Sequence, residues 1–234
     1  MEKELTVVIP SKNEENYIAE ILENLSLQRI GKTEIILSDA LSEDNTRKKA
    51  QSVAFELGLN LKIIDGGLPA VGRNRGAKLA KTPYVLFVDA DVTFTDKCDL
   101  RACLDRMNKG YKILSTTPKM RSNDSLAVFF LWLNKLGTHI LSKTEPFAIG
   151  AMTLVNKEEF LKKGGYDEEV KHTEDWLLSK KYSPKEFYLK PDMITQDDRR
   201  FKRFGYWKMT KLIYLNWVNR NNREYFLRDA GYWS

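Results

Sequence analysis

Two aspartates, Asp89 and Asp91, follow directly on the apolar run Tyr84-Val85-Leu86-Phe87-Val88. A carboxylate at the end of a buried strand, with another two positions on, offers hard oxygen ligands. Mg²⁺ and Mn²⁺ take such ligands together with substrate phosphates. The plainer reading of the same pair is a turn capped by Asp91 and an ion pair between Asp89 and an arginine. Asn13 and Glu14 follow the first apolar run, and both types also suit the start of a helix. Glu174 and Asp175 precede Trp176 and would open a helix in the same way. Of Arg73 and Arg75, one is expected to face phosphate and the other solvent, with Arg73 the choice.

These residues need a frame. Leu5-Thr6-Val7-Val8-Ile9 is β-branched and apolar and ends at Pro10, so it reads as a buried strand. A helix is expected from Asn13, with Ile18, Ile21, Leu22 and Leu25 on one face. Glu34 to Asp39 reads as a strand. Ser42 or Asp44 would cap a helix carrying Ala50, Val53, Ala54 and Leu57. Leu61 to Ile64 is a third strand, Val71 to Ala80 a helix, and Tyr84 to Val88 a fourth strand. This alternation predicts a parallel sheet with right-handed crossovers, whose ligand sits at the carboxyl ends of the strands. Pro10, Asn13, Glu14, Asp39 and Asp89 through Asp91 fall at that edge. No G-x-G-x-x-G and no G-x-x-x-x-G-K-[ST] is present, which removes the main support for a dinucleotide site or a P-loop. Beyond residue 95 the pattern predicts helices near Leu100–Met107, Leu126–Leu141, Lys157–Lys163 and Tyr206–Val218, and strands at Lys112–Thr116 and Ala151–Val155. Neither repeats nor a linker interrupt the chain, so one domain is expected.

Six segments in order resemble the family 2 glycosyltransferases. They are Val7 to Glu15, Asp39 to Thr46, Gly72-Arg73-Asn74-Arg75-Gly76-Ala77, Val88 to Asp91, Ile149 to Met152 with Phe160 to Asp167, and Thr173 to Trp176. Gln196-Asp197-Asp198-Arg199-Arg200-Phe201 is similar to an arginine-containing segment near the end of many members. The resemblance covers roughly residues 5–205 and implies a GT-A-like (Rossmann-like) α/β fold, a mostly parallel sheet flanked by helices in a single domain. It also implies a nucleotide-sugar donor, a divalent metal (Mg²⁺ or Mn²⁺) and inversion at the anomeric carbon. Carried over, Pro10, Asn13, Glu14 and Asp39 would line the nucleoside pocket and Arg73 would approach the nucleotide. Asp89 would face the ribose or the metal, Asp91 would ligate the metal, and Asp175 would be the general base with Glu174 beside it. Arg199 and Arg200 would add charge at the diphosphate. Residues 1–95 would form the nucleotide-binding half, 96–198 the acceptor side and 199–234 a basic aromatic tail. Many members carry two adjacent acids after the second strand; here Ala40 follows Asp39, so uracil and guanine both stay open. The arginine segment also lacks the tryptophan of the processive synthases.

The chain has 234 residues and a net charge of +6, with a soluble globular composition. Cys98 and Cys103 lack zinc-type partners, so neither a disulfide scaffold nor a zinc site is expected. Met1-Glu2-Lys3-Glu4 lacks the order of a signal peptide, and the longest apolar run, Leu126 to Leu133, is too short to span a bilayer. A cytoplasmic protein is expected, seated peripherally on the inner face of a membrane. Residues 196–234 hold nine basic against four acidic side chains, a surplus of five, with ten aromatics. That tail reads as a core helix built on Trp207, Ile213, Tyr214 and Trp217, as a contact with anionic lipid, or, least of all, as a nucleic-acid surface. His139 is expected in the core or an interface, and for His172, just before the Glu-Asp pair, contact with acceptor or phosphate is the lesser reading. The acceptor is taken to be a hydroxyl compound, lipid-linked on the ground of the tail. Two alternatives stand beside the transferase. One is a sugar-phosphate nucleotidyltransferase, and the other a non-catalytic protein that binds membrane or nucleic acid.

Overall fold

Alternate residues of the first strand serve two different apolar layers, and the rest of the fold follows from that. Val7 and Ile9 pack with Ile18, Ile21, Leu22 and Leu25 on one face of the sheet, while Val8 packs with Ala70, Ala77, Val85 and Phe87 on the other. Each fully buried Val, Leu, Ile or Phe side chain contributes about 1.5–3 kcal/mol relative to exposure. The computed structural model describes residues 4–28, 30, 31, 33–121, 125–142, 144–196, 202 and 205–228.

The first half runs β1 (Leu5–Ser11), α1 (Ile18–Ser26), β2 (Glu34–Asp39), α2 (Thr46–Glu56), β3 (Asn60–Asp65), α3 (Pro69–Leu79) and β4 (Tyr84–Val88). The second half runs β5 (Thr93–Phe94), α4 (Leu100–Asn108), β6 (Ile113–Ser115), β7 (Lys119–Met120), α5 (Ser125–Leu141), β8 (Met152–Asn156), α6 (Lys157–Lys162), α7 (Glu174–Ser179), β9 (Phe187–Leu189) and β10 (Ile194–Gln196). Two further helices, α8 (Tyr206–Val218) and α9 (Arg223–Phe226), follow.

Seven strands form the main sheet in the order β3-β2-β1-β4-β8-β6-β9. It is parallel except for β8, which runs antiparallel to both β4 and β6. The expected mostly parallel α/β sheet flanked by helices is therefore present. The chain steps from β1 outward to β3, then crosses back to place β4 on the other side of β1. That reversal opens a crevice at the carboxyl ends of β1 and β4. Because β8 is antiparallel, its leading end meets the trailing end of β4, with Met152 opposite Val88. This brings the loop around Gly150 to the crevice.

Several expectations shift. The first helix starts at Ile18 rather than at Asn13, and Asn13 itself is left-handed with φ 54°. The residue before α2 is Asn45, and its side chain makes no cap bond. Asp44 accepts from the Thr46 N–H at 2.9 Å instead. A small second sheet, β5-β10-β7, was not foreseen, since strands of two or three residues are too short to show a period.

Helix α3 lies close on β1 because Gly76 has no side chain. A Cβ there would stand 2.4 Å from Val8 Cγ1 and 2.8 Å from its Cγ2. Val8 is buried and branched, so it has little room to give. Gly76→Ala is expected to destabilise the fold by about 1–3 kcal/mol in urea unfolding, despite the better helix propensity of alanine.

Candidate active site

The β1 and β2 loops are stitched together over the edge of the sheet. Asn13 N–H donates to Ser42 Oγ (2.9 Å), and Glu43 N–H donates to Asn13 Oδ1 (2.9 Å). Glu14 N–H donates to Thr46 Oγ1 (2.8 Å), and Glu15 N–H to Asp44 Oδ2 (3.1 Å). Leu41 joins Asn13 in the left-handed region at φ 54°. Pro10 sits in β1 opposite Ser38.

Asp39, expected to line the nucleoside pocket, anchors this loop pair. It is 0% exposed. Its Oδ1 accepts from Ser11 Oγ (3.0 Å) and Ser42 Oγ (2.5 Å), and its Oδ2 from Ser42 N–H (3.0 Å) and Arg47 Nε (2.6 Å). Each oxygen already holds two donors, which is its capacity. Burial pushes the Asp39 carboxyl up, but the donors, Ser42 foremost, outweigh it and hold Asp39 below its ordinary value. Arg47 also reaches Asp65 at 2.6 Å, tying the ends of β2 and β3. Nothing in the sequence singled out Arg47.

Arg73 is placed differently from expectation too. It projects from α3 into the protein and is 1% exposed. One nitrogen, Nη2, donates to Asp89 Oδ1 at 2.7 Å, and Nη1 donates to Glu174 Oε1 at 2.7 Å. The guanidinium also lies over the Tyr166 ring, 5.4 Å from its centroid. Burial works against the Arg73 charge, yet the neighbouring acids, Asp89 first, more than reverse that and raise it further. Arg73 therefore stands behind the carboxylates and joins them. The plain reading of Asp89, paired with an arginine, holds. Arg75 is exposed, as expected, while its Nη1 donates to the carbonyls of Asp65 (2.9 Å) and Gly66 (2.7 Å).

Glu174 and Asp175 do open a helix, α7. The residue before them, Thr173, is left-handed at φ 65°, an unfavourable setting for a branched side chain. Its hydroxyl lies 3.0 Å from His172 Nδ1 and accepts from Asn216 Nδ2 at 3.1 Å. Asp175 is half-buried. Its Oδ2 accepts from the Gly150 N–H, and its Oδ1 from the Trp176 N–H at 2.9 Å. Burial, and then the charge of Glu174, push the Asp175 carboxyl up to about 7, against the Trp176 N–H, Arg73 and the Gly150 N–H. Gly150 falls in the Ile149–Met152 segment of the family pattern, but nothing in the sequence marked it as the partner of Asp175. A Cβ there would fall 3.1 Å from Asp175 Oδ2, so only glycine sits comfortably at this contact.

Asp91 is buried just beyond β4, and the Asp89 side chain is 19% exposed. Among the described residues, no three His, Cys, Asp or Glu side chains gather as a ready cage. Two hard carboxylates fit a Mg²⁺ or Mn²⁺ that completes its shell with substrate phosphates and water. Arg199 and Arg200 lie outside the described residues. His172 is buried against the rings of Tyr225 and Phe226, at 5.7 and 5.3 Å, and His139 is exposed on α5 rather than in the core. A cavity of about 520 Å³ opens beside Asn74, Lys78, Gly165 and Lys181, but none of the predicted donor-side residues lines it.

The arrangement thus joins Asp89, just past β4, to Glu174 on α7 through one buried arginine. Residues 6–162 match the family model for Glycosyl transferase family 2. The 4,4'-diaponeurosporenoate glycosyltransferase of Staphylococcus aureus (strain USA300) is 28% identical over 194 residues, covering 77% of this chain and 52% of the relative. The chain thus spans about half the length of the curated relatives it matches. Among solved structures, S. aureus TarS 1–349 in complex with UDP has a TM-score of 0.64 at 21% identity, covering 83% of this chain and 60% of that one. The mannosyltransferase PcManGT from Pyrobaculum calidifontis, in complex with GDP-Man and Mn²⁺, has a TM-score of 0.61 at 21% identity, covering 81% and 55%. These likenesses show a shared GT-A fold. With the family's pattern running from β1 to the end of α6 on that fold, the chain belongs to Glycosyl transferase family 2.

Proposed function

We propose that this chain is an inverting glycosyltransferase that moves a sugar from a UDP- or GDP-sugar to a hydroxyl acceptor in a metal-assisted single displacement. One observation carries this reading. Asp175 stands on α7 next to Glu174, whose carboxylate Arg73 ties to Asp89 just past β4, and burial pushes the Asp175 carboxyl up. A base tuned near neutrality accepts a hydroxyl proton most effectively there. In the step, the acceptor oxygen forms a bond to the anomeric carbon as its proton passes to Asp175. The bond from that carbon to the diphosphate oxygen breaks, and its electron pair leaves with the nucleoside diphosphate. Asp91 and Asp89 would hold Mg²⁺ or Mn²⁺ together with the donor phosphates, and the ion would supply Lewis-acid stabilisation of the leaving diphosphate.

In this reading residues 1–95 receive the donor and residues 96–198 the acceptor. Pro10, Asn13 and Glu14 border the nucleoside, and Arg199 and Arg200 bind the diphosphate. Asp39 and Arg73 hold the site's shape from behind. The acceptor is lipid-linked, and the protein works at the cytoplasmic face of a membrane. UDP-bound TarS and the GDP-Man and Mn²⁺ complex of PcManGT support a nucleotide-sugar donor and a divalent ion.

Calorimetry with UDP and GDP, with and without Mn²⁺, tests the donor side. One of the two nucleotides is expected to bind in an Mn²⁺-dependent manner, and Asp91→Ala to weaken that dependence at least about tenfold. Binding of neither, or a metal effect untouched by Asp91→Ala, overturns the assignment. Pyrophosphate release from a nucleoside triphosphate would point to the nucleotidyltransferase instead.

A further inference from the structure

Two helices wear their apolar faces outward. On α5, Leu126, Val128, Phe129, Trp132, Leu136 and Ile140 are exposed, whereas Thr138 is buried. At about 100° per residue, the six apolar positions share one arc of about 160°, and Thr138 points the opposite way. Lys135, near the edge of that arc, is held by Asp192. On α8, which packs beside α5, Trp207 is 87% exposed, and Tyr214, Trp217 and Val218 share its face. This corrects the expectation that Trp207, Tyr214 and Trp217 pack in the core. The inward side of α8 carries buried Met209, and Asn216, which donates to Thr173 beside the Glu174-Asp175 pair.

The charges point to the occupant. Neither α5 nor α8 contains an aspartate or glutamate. Exposed Lys208 and Lys211 border the aromatic face of α8, and exposed Lys202 precedes the helix. Aromatics flanked by lysines whose stems lie along an apolar surface match the headgroup layer of a bilayer, where the rings enter and the ammonium groups meet lipid phosphates. A soluble protein rarely leaves so large an apolar face in water.

We infer that the outer faces of α5 and α8 form one docking platform for a bilayer with anionic headgroups. The platform deepens the membrane part of the proposed function and rests on that reading for the acceptor alone; the exposed faces and their lysines carry bilayer binding by themselves. Its inner side bonds Thr173, the residue before Glu174 and Asp175, so on the transferase reading docking holds that pair close to the plane where lipid-borne hydroxyls lie.

The test is co-sedimentation of the full chain with vesicles of phosphatidylcholine alone or of phosphatidylcholine with phosphatidylglycerol. Binding is expected only to the phosphatidylglycerol vesicles at low salt, and to fall as NaCl rises. Trp132→Ser with Trp207→Ser is expected to lower partitioning on the order of tenfold or more. Lys208→Glu with Lys211→Glu is expected to lower it by about tenfold. Phe55→Ser removes an equally exposed ring from α2 and should change nothing. All four replaced platform residues are exposed, and circular dichroism checks that the fold is kept. No binding to anionic vesicles overturns the inference, as does binding that the platform variants leave intact or that Phe55→Ser lowers equally. Concentration-dependent dimerisation abolished by Trp132→Ser and Trp207→Ser, without vesicle binding, assigns the face to a second copy and also overturns it.

Discussion

Asp175→Asn is expected to lower kcat by about 10²–10⁴-fold while leaving nucleotide binding in place, because it removes the proposed proton acceptor and little else. The amide keeps the size of the side chain and can still accept one of the two N–H bonds from Gly150 and Trp176. The pH dependence gives an independent reading. The base works as a carboxylate, and its carboxyl is pushed up to about 7. Turnover should therefore rise with pH through about 7, climbing roughly tenfold per unit on the acid side and then levelling. Stability runs the other way. The folded state holds a proton on Asp175 that the unfolded chain has lost, so this group's contribution is fully present below about 3.8 and fades as pH rises through about 7. Steady-state kinetics and thermal melts across that range check both signs. Undiminished turnover in Asp175→Asn, or a flat acid limb, removes Asp175 from the role.

Arg73→Met should be the most destabilising of the substitutions considered, costing about 3–5 kcal/mol in urea unfolding. The Arg73 and Glu174 side chains are 2% and 8% exposed, and Asp89 is 19% exposed, so removing the cation leaves two carboxylates facing each other with little water. Arg73→Lys should recover only part of the loss. A single ammonium is a point charge and cannot reproduce two guanidinium bonds that run to acids on different elements. The substitution also reaches the proposed base. The Arg73 charge lowers the Asp175 carboxyl, so its loss should move the acid limb of the rate profile to higher pH. A double-mutant cycle pairing Arg73→Met with Glu174→Gln isolates the coupling, and near-additive losses would show that the ion pair contributes little.

Much of the fold was legible in particular residues. The β-branched apolar run from Leu5 and the helical spacing of Ile18, Ile21, Leu22 and Leu25 each specify one element, and the parallel order of β1 to β4 follows from the alternation of strands and helices. The tail helix lies at the predicted Tyr206–Val218. Less of the site could be read. Arg73 stood in a segment that pointed to phosphate, but its partners are 16 and 101 positions away, and spacing along the chain carries no information about them. Asp39 looked like a pocket wall until Arg47 and Ser42 filled its lone pairs.

The apolar spacing of α5 and α8 was visible as well, yet a period says which residues share a face and not where that face points. Residue order by itself determined the longer elements, the crevice edge and the family pattern, because local periodicity and strand ends depend on near neighbours. The tertiary structure alone decided that Arg73 is a buried link, that Gly150 grips Asp175 and that the aromatic tail faces outward. Those outcomes depend on β8 entering antiparallel and on which backbones then meet, and only the packed chain brings them together.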